Sequence, residues 1–124
     1  MKKLITILLL GMIAGLGYGQ TFLRADYIQI GRIQPSGIQW NETEAVDILI
    51  KVDQNKAEIY SKTKQVYRKI SQVTQTPTSS KWLCADSDGT HCHLYVFYLK
   101  EKPGVVFIGV EYSDLTWYYT THFE

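Results

Sequence analysis

The residues of this chain with the strongest capacity for chemistry lie close together, between positions 84 and 93. His91 and His93 are two residues apart, so on a β-strand both imidazole rings would point to the same side. Such a pair binds zinc when a third ligand completes the site. Four residues are candidates for that ligand, and their spacing does not single one out: Asp86, Asp88, Glu111 and His122. His91 and His93 are therefore a candidate metal site, and the simpler interpretation is an exposed hairpin face.

Cys84 and Cys92 are the only cysteines, and their spacing favours a structural disulfide. If residues 87–89 form a three-residue loop with Gly89 in a left-handed conformation, Cys84 lies directly opposite Cys92. Directly opposed strand positions are within the reach of a disulfide. A two-residue turn at Asp88 and Gly89 would instead place Cys92 on the other face. The spacing also differs from the C-x-x-C of redox catalysts, so we predict a disulfide that closes the hairpin.

No catalytic motif is complete in this sequence. The segment from Asp86 to Gly89 resembles part of a calcium loop, but the first and twelfth EF-hand positions would fall on Cys84 and Tyr95, which carry no carboxylate. The sequence also lacks a serine-nucleophile elbow, a phosphate-binding loop and a zinc-protease motif. We therefore expect a binding or interaction module without a cofactor rather than an enzyme. The alternative is a small metal-assisted enzyme that uses the two histidines of the hairpin.

Aromatic residues give the main signal for a binding surface. In the strand predicted for residues 90–100 both faces are apolar, one with Cys92, Leu94, Val96 and Tyr98 and the other with His91, His93, Tyr95, Phe97 and Leu99. The interpretation we favour is a central strand covered on both sides. The other interpretation is an aromatic platform exposed to a sugar, a peptide or a protein. The residues proposed for such a face are Tyr95, Phe97, Trp117 and Tyr119.

The first 19 residues have the order of a secretory signal peptide. Lys2 and Lys3 precede an apolar run over residues 4–13, and small residues follow up to Gly19. The apolar stretch is shorter than the roughly 20 residues that a membrane-spanning helix needs, and an uncleaved anchor is the alternative. We predict cleavage after Gly19 and a single β-rich domain over residues 20–124. The domain would be exported to the periplasm or the cell exterior and would meet a membrane only during export.

The charge of the chain argues against nucleic acid as a partner. Removal of Lys2 and Lys3 leaves 11 of the 13 basic residues against 12 acidic ones. A nearly neutral protein has no bulk electrostatic attraction to a phosphate backbone. The expected partner is therefore an unidentified protein or glycan, and the oligomeric state is open. A subunit that pairs through an exposed strand edge is a further hypothesis.

Short β-rich runs between turn signals predict an all-β fold, a small antiparallel meander that forms a barrel or a sandwich. The runs are residues 22–33, 48–52, 57–61, 65–73, 81–86, 90–100, 105–112 and 117–123. Residues 41–44 can cap one or two helical turns through residues 45–47, and residues 65–73 also have room for a helix. Residues 74–80, with Pro77 in the middle, are predicted as a loop. The sequence thus predicts seven or eight strands and at most one short helix.

Five short elements follow one another along the second half of the chain. They are Ile50-Lys51-Val52-Asp53, Ile59-Tyr60-Ser61, Gln65-Val66-Tyr67, Cys84-x-Asp86-x-Asp88-Gly89-x-x-Cys92 and Tyr112-Ser113-Asp114. In this order they resemble a group of small, secreted, uncharacterised proteins of gut bacteria and their phages. The resemblance covers about half of the chain. It implies that the hairpin between the two cysteines is a shared structural unit, and it implies no activity.

Overall fold

The structure, a computed structural model, describes residues 20–124. This part of the chain contains nine strands and no helix: β1 (Thr21–Gln34), β2 (Gly37–Trp40), β3 (Glu44–Val52), β4 (Lys56–Ile59), β5 (Gln65–Thr76), β6 (Ser79–Ala85), β7 (His91–Phe97), β8 (Val105–Glu111) and β9 (Leu115–Phe123). The prediction of an all-β fold is confirmed. Residues 20–124 also contain no helix long and apolar enough to cross a membrane. The predicted signal peptide lies outside the described residues.

Eight of these strands close into an antiparallel barrel. Each strand from β3 to β8 pairs with the next one along the chain. β1 closes the ring, because it pairs with β3 along one edge and with β9 along the other. β2 is the extra strand: it follows a two-residue turn at Pro35 and Ser36 and pairs with the end of β1. Of the two architectures predicted from the sequence, the barrel is the one observed, and it forms because β1 joins both ends of the meander.

The hydrophobic core fills the inside of the barrel. Alternate residues of each strand point inward, as the two-residue period of a strand requires. Leu23, Ile50, Ile59, Leu94 and Ile108 are fully buried there and come from five different strands. Burial of a large apolar side chain contributes about 1.5–3 kcal/mol, so this shared interior is the main source of stability.

The hairpin of β6 and β7 has the register predicted from its loop. Gly89 has a φ of 83°, and Cys84 pairs directly with Cys92. The carboxylate of Asp86 fastens the loop, since its Oδ1 accepts a hydrogen bond of 2.9 Å from the backbone N–H of Asp88. Local turn chemistry therefore fixes which residues of this hairpin face the barrel interior.

Residues 65–73, a predicted β-rich run that also had room for a helix, lie in β5. Two other segments differ from the sequence prediction. Residues 45–47, where one or two helical turns were predicted, belong to β3, and Ala45 pairs with Tyr27 of β1. Sheet pairing outweighs the local helix-capping signal there. Residues 74–80, predicted as a loop, complete a hairpin in which Thr76 of β5 pairs with Ser79 of β6. The predicted helical turns were wrong because β3 pairs with β1, which is distant in sequence. The predicted loop was wrong except at Pro77 and Thr78, which form the tight turn of a local hairpin.

β4 has only four residues, and its shortness leaves part of β5 with one neighbour. β4 pairs with residues 65–68 of β5. Just beyond them, the backbone N–H of Lys69 donates to the carbonyl of Asn55 at 2.7 Å. Residues 70–76 continue past this point and, within residues 20–124, pair only with β6. We call residues 70–76 the β5 arm.

Candidate functional site

The outer surface of the barrel carries a continuous row of aromatic rings across β7, β8, β9 and β2. The row consists of Tyr95, Phe97, Phe107, Tyr118 and Trp40, and we call it the aromatic strip. The four residues on β7, β8 and β9 face outward because the residues on either side of them in each strand point into the barrel interior. Strand register brings the rings together, since Phe97 pairs directly with Phe107 and Tyr95 with Gly109.

The rings of the aromatic strip contact one another in sequence. Phe97 stacks on Phe107 with ring centroids 4.9 Å apart and an interplanar angle of 14°. Tyr95 stacks on Phe97 at 6.1 Å, and Trp40 meets Tyr118 edge-on at 5.3 Å. Aromatic pairs at these separations are worth about 0.5–1.5 kcal/mol each beyond the area they bury. The strip is therefore held in shape by contacts among its own rings.

Two glycines allow rings to lie across neighbouring strands. A Cβ atom on Gly109 would overlap the ring of Tyr95, which crosses that position on β8. A Cβ atom on Gly31 would lie 2.7 Å from the ring of Trp40. The absence of side chains on these outward positions of β8 and β1 makes room for the two rings. The outer surface is consequently flatter there than an ordinary pleated sheet.

Exposure varies along the aromatic strip. Phe107, in its centre, is only 7% exposed, whereas Trp40 at one end is 41% exposed. Tyr95, Phe97 and Tyr118 are partly buried. The strip therefore presents ring edges and faces to solvent around a covered centre, with no second layer over it among the described residues.

Polar groups border the aromatic strip. The hydroxyl of Tyr95 lies 3.3 Å from that of Thr116, and the hydroxyl of Tyr118 donates to the side-chain carbonyl of Gln29. The ammonium group of Lys102 lies 5.9 Å from the centre of the Phe107 ring. Burial raises the pKa of Tyr95, so its phenol stays protonated at neutral pH. The strip thus combines apolar faces with hydroxyl and amide groups, and charged groups also border it: Lys102 lies near Phe107, and Lys81, which is directly opposite Tyr95, pairs with Glu111.

The structure divides the binding face that was predicted from the sequence. Tyr95 and Phe97 lie together on the outer surface, as part of the aromatic strip. Trp117 and Tyr119 belong to the inner set of β9, where Tyr119 is 1% exposed and Trp117 stacks on Tyr112. The grouping is corrected for those two residues, because a one-residue change of register moves every side chain of a strand to its other face.

Trp40, Phe107 and Tyr118 belong to the outer surface but were not predicted as part of the binding face. Tyr118 was left out because the predicted face took its two neighbours, Trp117 and Tyr119. Trp40 was missed because β2 was not predicted as a strand. The signal that could have located the surface is the pair of glycines, since Gly31 and Gly109 interrupt otherwise strand-forming runs.

Cys84 and Cys92 are buried and directly opposed, and both are free thiols in the structure. The predicted disulfide is therefore not present in it, although the predicted register is. Burial raises the pKa of the Cys84 thiol to about 11. A thiol with a raised pKa is mostly protonated, and so a weak nucleophile, at neutral pH.

His91 and His93 lie on the outer surface of β7, on the same side as predicted. His93 pairs with Glu111, whose carboxylate also lies 3.5 Å from the ammonium group of Lys81. Among residues 20–124, no group of three or more His, Cys, Asp or Glu side chains is arranged to hold a metal ion. The candidate third ligands are otherwise engaged or distant: Asp86 holds the β6–β7 loop, and the ring of His122 contacts Asp26 at 2.7 Å.

A second polar cluster surrounds Glu58 on the outer side of β4. Its carboxylate is nearly buried and lies 2.8 Å from the ammonium group of Lys64, 3.1 Å from that of Lys56 and 2.7 Å from the hydroxyl of Tyr60. Hydrogen bonds from Lys64, Tyr60 and Lys56 lower the pKa of Glu58 to about 2. All the groups are mutually satisfied, so the cluster has the features of a structural ion network.

Comparison with known proteins gives no information about function, so the functional interpretation rests on the geometry of this chain. No family model, no curated protein and no solved structure matches it significantly. The aromatic strip is thus the site that its own contacts and exposure single out on the described surface.

Proposed function

We propose that this protein is an exported binding module and that the aromatic strip is its contact surface for a neutral glycan chain. The carrying observation is the row of five contacting rings on the outer wall of the barrel. Single exposed apolar residues are common on protein surfaces, but a contiguous apolar patch is characteristic of binding sites.

A glycan fits the chemistry of the strip. The apolar C–H faces of a sugar ring stack on aromatic faces, and its hydroxyl groups need neutral donors and acceptors at the margin. Gln29 and the two tyrosine hydroxyls supply such groups beside the rings. Rings repeated across neighbouring strands suit a ligand with a repeating unit. The near-neutral charge of the chain also favours an uncharged ligand over a polyanion.

Export would place the two cysteines in an oxidising compartment, where the disulfide would form. Support comes from the direct opposition of Cys84 and Cys92 in neighbouring strands. Closing so short a loop contributes about 2–3 kcal/mol on the chain-entropy model. The intact mass of protein recovered from the periplasm or the medium tests both points. A mass that begins at Gln20 with no alkylatable thiol is expected, and retained residues 1–19 with two free thiols would overturn them.

Calorimetric titration with neutral oligosaccharides tests the ligand class. The probes are hexasaccharides of β-linked glucose, α-linked glucose, xylose and N-acetylglucosamine. We expect at least one of them to bind wild-type protein, and Phe97→Ala to weaken that binding at least about tenfold, as loss of a central contact does. The matched control is Phe22→Ala, which removes another exposed ring, 43% exposed on β1 and outside the strip.

Two results would overturn the proposal. One is an absence of binding to every neutral oligosaccharide by wild-type protein whose fold is verified by circular dichroism. The other is equal loss of binding in Phe97→Ala and Phe22→Ala, because the strip would then have no special role. If the strip bound a protein and no glycan, the proposed contact surface would stand and the proposed ligand class would be wrong.

A further inference from the structure

The β5 arm has an edge whose backbone is available for pairing. Residues 70–76 pair with β6 on one side and have no strand on the other side within residues 20–124. A run of seven residues extends over about 23 Å, longer than an average strand. Unpaired N–H and C=O groups along such an edge are a template for another strand.

Two bulges increase the number of unpaired groups on the arm. The register between β5 and β6 shifts between Lys69 and Ser71 and again between Gln72 and Thr74. The residues skipped at these shifts, Ile70 and Val73, have no partner in β6, and each is 53% exposed. A bulge residue is left out of its own ladder. The arm therefore combines exposed β-branched side chains with backbone groups that its own sheet does not use.

The arm lacks the charges that usually protect a sheet edge. Residues 70–80 contain no Lys, Arg, Asp or Glu, and Pro77 stands beyond the arm in the turn. Natural edge strands are commonly guarded by lysine, by inward-pointing charges, by proline or by β-bulges, and of these devices the arm has only its two bulges. An uncharged edge does not repel a second copy of itself, and it has no charge to select a charged partner.

We infer that the β5 arm pairs with the β5 arm of a second copy of this chain, in antiparallel orientation about a two-fold axis near Val73. Val73 is the middle residue of the arm, so each copy meets the same uncharged sequence in reverse. An interface made by the same patch on both subunits is the commonest form of a homodimer. This inference is independent of the proposed function, because the arm shares no residue with the aromatic strip.

The short interface makes a weak dimer the expected result. Pairing of seven residues buries less surface than a stable interface of about 1,200–2,000 Å², so dissociation constants between about 1 µM and 1 mM are expected. Sedimentation equilibrium of the purified protein across that concentration range measures the association directly. Wild-type protein is expected to change from monomer to dimer within it.

Charge substitutions at the two-fold axis identify the interface. Val73→Lys and Val73→Glu each bring two like charges together in a self-pair, so each variant alone should dimerise at least about tenfold more weakly. A mixture of the two should form a heterodimer, detectable as a distinct mass in native mass spectrometry. Tyr27→Lys is the matched control, since Tyr27 is 49% exposed but lies on β1, which is paired on both edges.

Three outcomes would overturn the inference. The first is a wild-type monomer throughout the concentration range. The second is dimerisation of Val73→Lys as strong as that of wild-type protein, which would place the interface elsewhere. The third is failure of Val73→Lys and Val73→Glu to associate when mixed, although wild-type protein dimerises. Glycan binding is expected in all these variants, so their result is separable from that of the proposed function.

Discussion

The wall formed by β7, β8 and β9 and the side formed by β4 and β5 contain similar residue types. They differ in how completely their strands are paired and their apolar side chains are buried. In the wall, β8 pairs along both edges and buries Val106, Ile108 and Val110 completely. On the other side, β4 covers only residues 65–68 of β5, and Ile70 and Val73 remain more than half exposed. The same β-branched residue types thus form a core in one region and an open edge in the other.

The comparison shows that pairing, more than side-chain type, decides what an apolar residue does in this barrel. Strands held on both edges keep a fixed surface, on which Phe97 and Phe107 can stack in a defined geometry. A strand held on one edge has fewer constraints and offers its backbone to a partner. The wall is suited to presenting a ligand-binding surface, and the β5 arm is suited to strand addition.

The largest effect is expected from truncation inside the wall. Ile108→Ala removes a fully buried side chain from the barrel core, and the lost transfer energy and the remaining cavity should lower the free energy of unfolding by about 2–5 kcal/mol. Urea unfolding followed by circular dichroism measures the change. A loss below about 1 kcal/mol would contradict the close packing ascribed to the barrel interior.

A smaller effect is expected from Gly109→Ala on the outer side of the wall. The added methyl group would overlap the Tyr95 ring, so the ring must move, and overpacking of this kind lowers stability by about 1–3 kcal/mol. The same substitution in a Tyr95→Ala background should cost much less, because the overlap is gone. Equal costs in the two backgrounds of this double-mutant cycle would show that the ring does not occupy the position described.

Acidification should weaken the β4 side through Glu58. The pKa of this carboxyl is lowered from 4.5 to about 2 by its partners, so its stabilising contribution is present above pH 4.5 and is lost as pH falls toward 2. We expect the stability difference between wild-type protein and Glu58→Gln to shrink across that range in urea unfolding. A difference that stays constant between pH 5 and pH 2 would mean that the ion network does not operate.

The smallest effect is expected on the β5 arm. Ile70→Ala removes a side chain that is already 53% exposed, so the free energy of unfolding of the monomer should change by less than about 0.5 kcal/mol. The measurement is made at low protein concentration, where the dimer is absent. A loss approaching that of Ile108→Ala would remove the contrast between the wall and the arm.

The sequence carries enough information to predict the β6–β7 hairpin in detail. Two turns were compatible with its loop, and the three-residue loop with a left-handed Gly89 was preferred because it sets Cys84 opposite Cys92; that register is the one observed. Most strands were also predicted, because alternation and β-branched runs are local properties. The sequence could not decide between a barrel and a sandwich, because closure of the barrel depends on the pairing of β1 with both β3 and β9.

The parts that sequence could not provide depend on distant pairing. The turn between β8 and β9 sets which residues of β9 face inward, and a shift of one residue exchanges Tyr118 with Tyr119. The capping signal at residues 41–44 was overridden by the pairing of β3 with β1. The aromatic strip could not be assembled from the sequence for the same reason, because its rings come from four strands and require two glycines between them.

Nuclear magnetic resonance mapping during an oligosaccharide titration tests the central claim most directly. The probe is the neutral hexasaccharide with the highest calorimetric affinity, and the signals compared are those of the aromatic strip and those of the β5 arm. We expect shifts that concentrate at Trp40, Phe97 and Tyr118 and that saturate together, with the β5 arm unchanged. Shifts confined to the arm, or no shift at saturating concentrations of any neutral hexasaccharide, would contradict that claim.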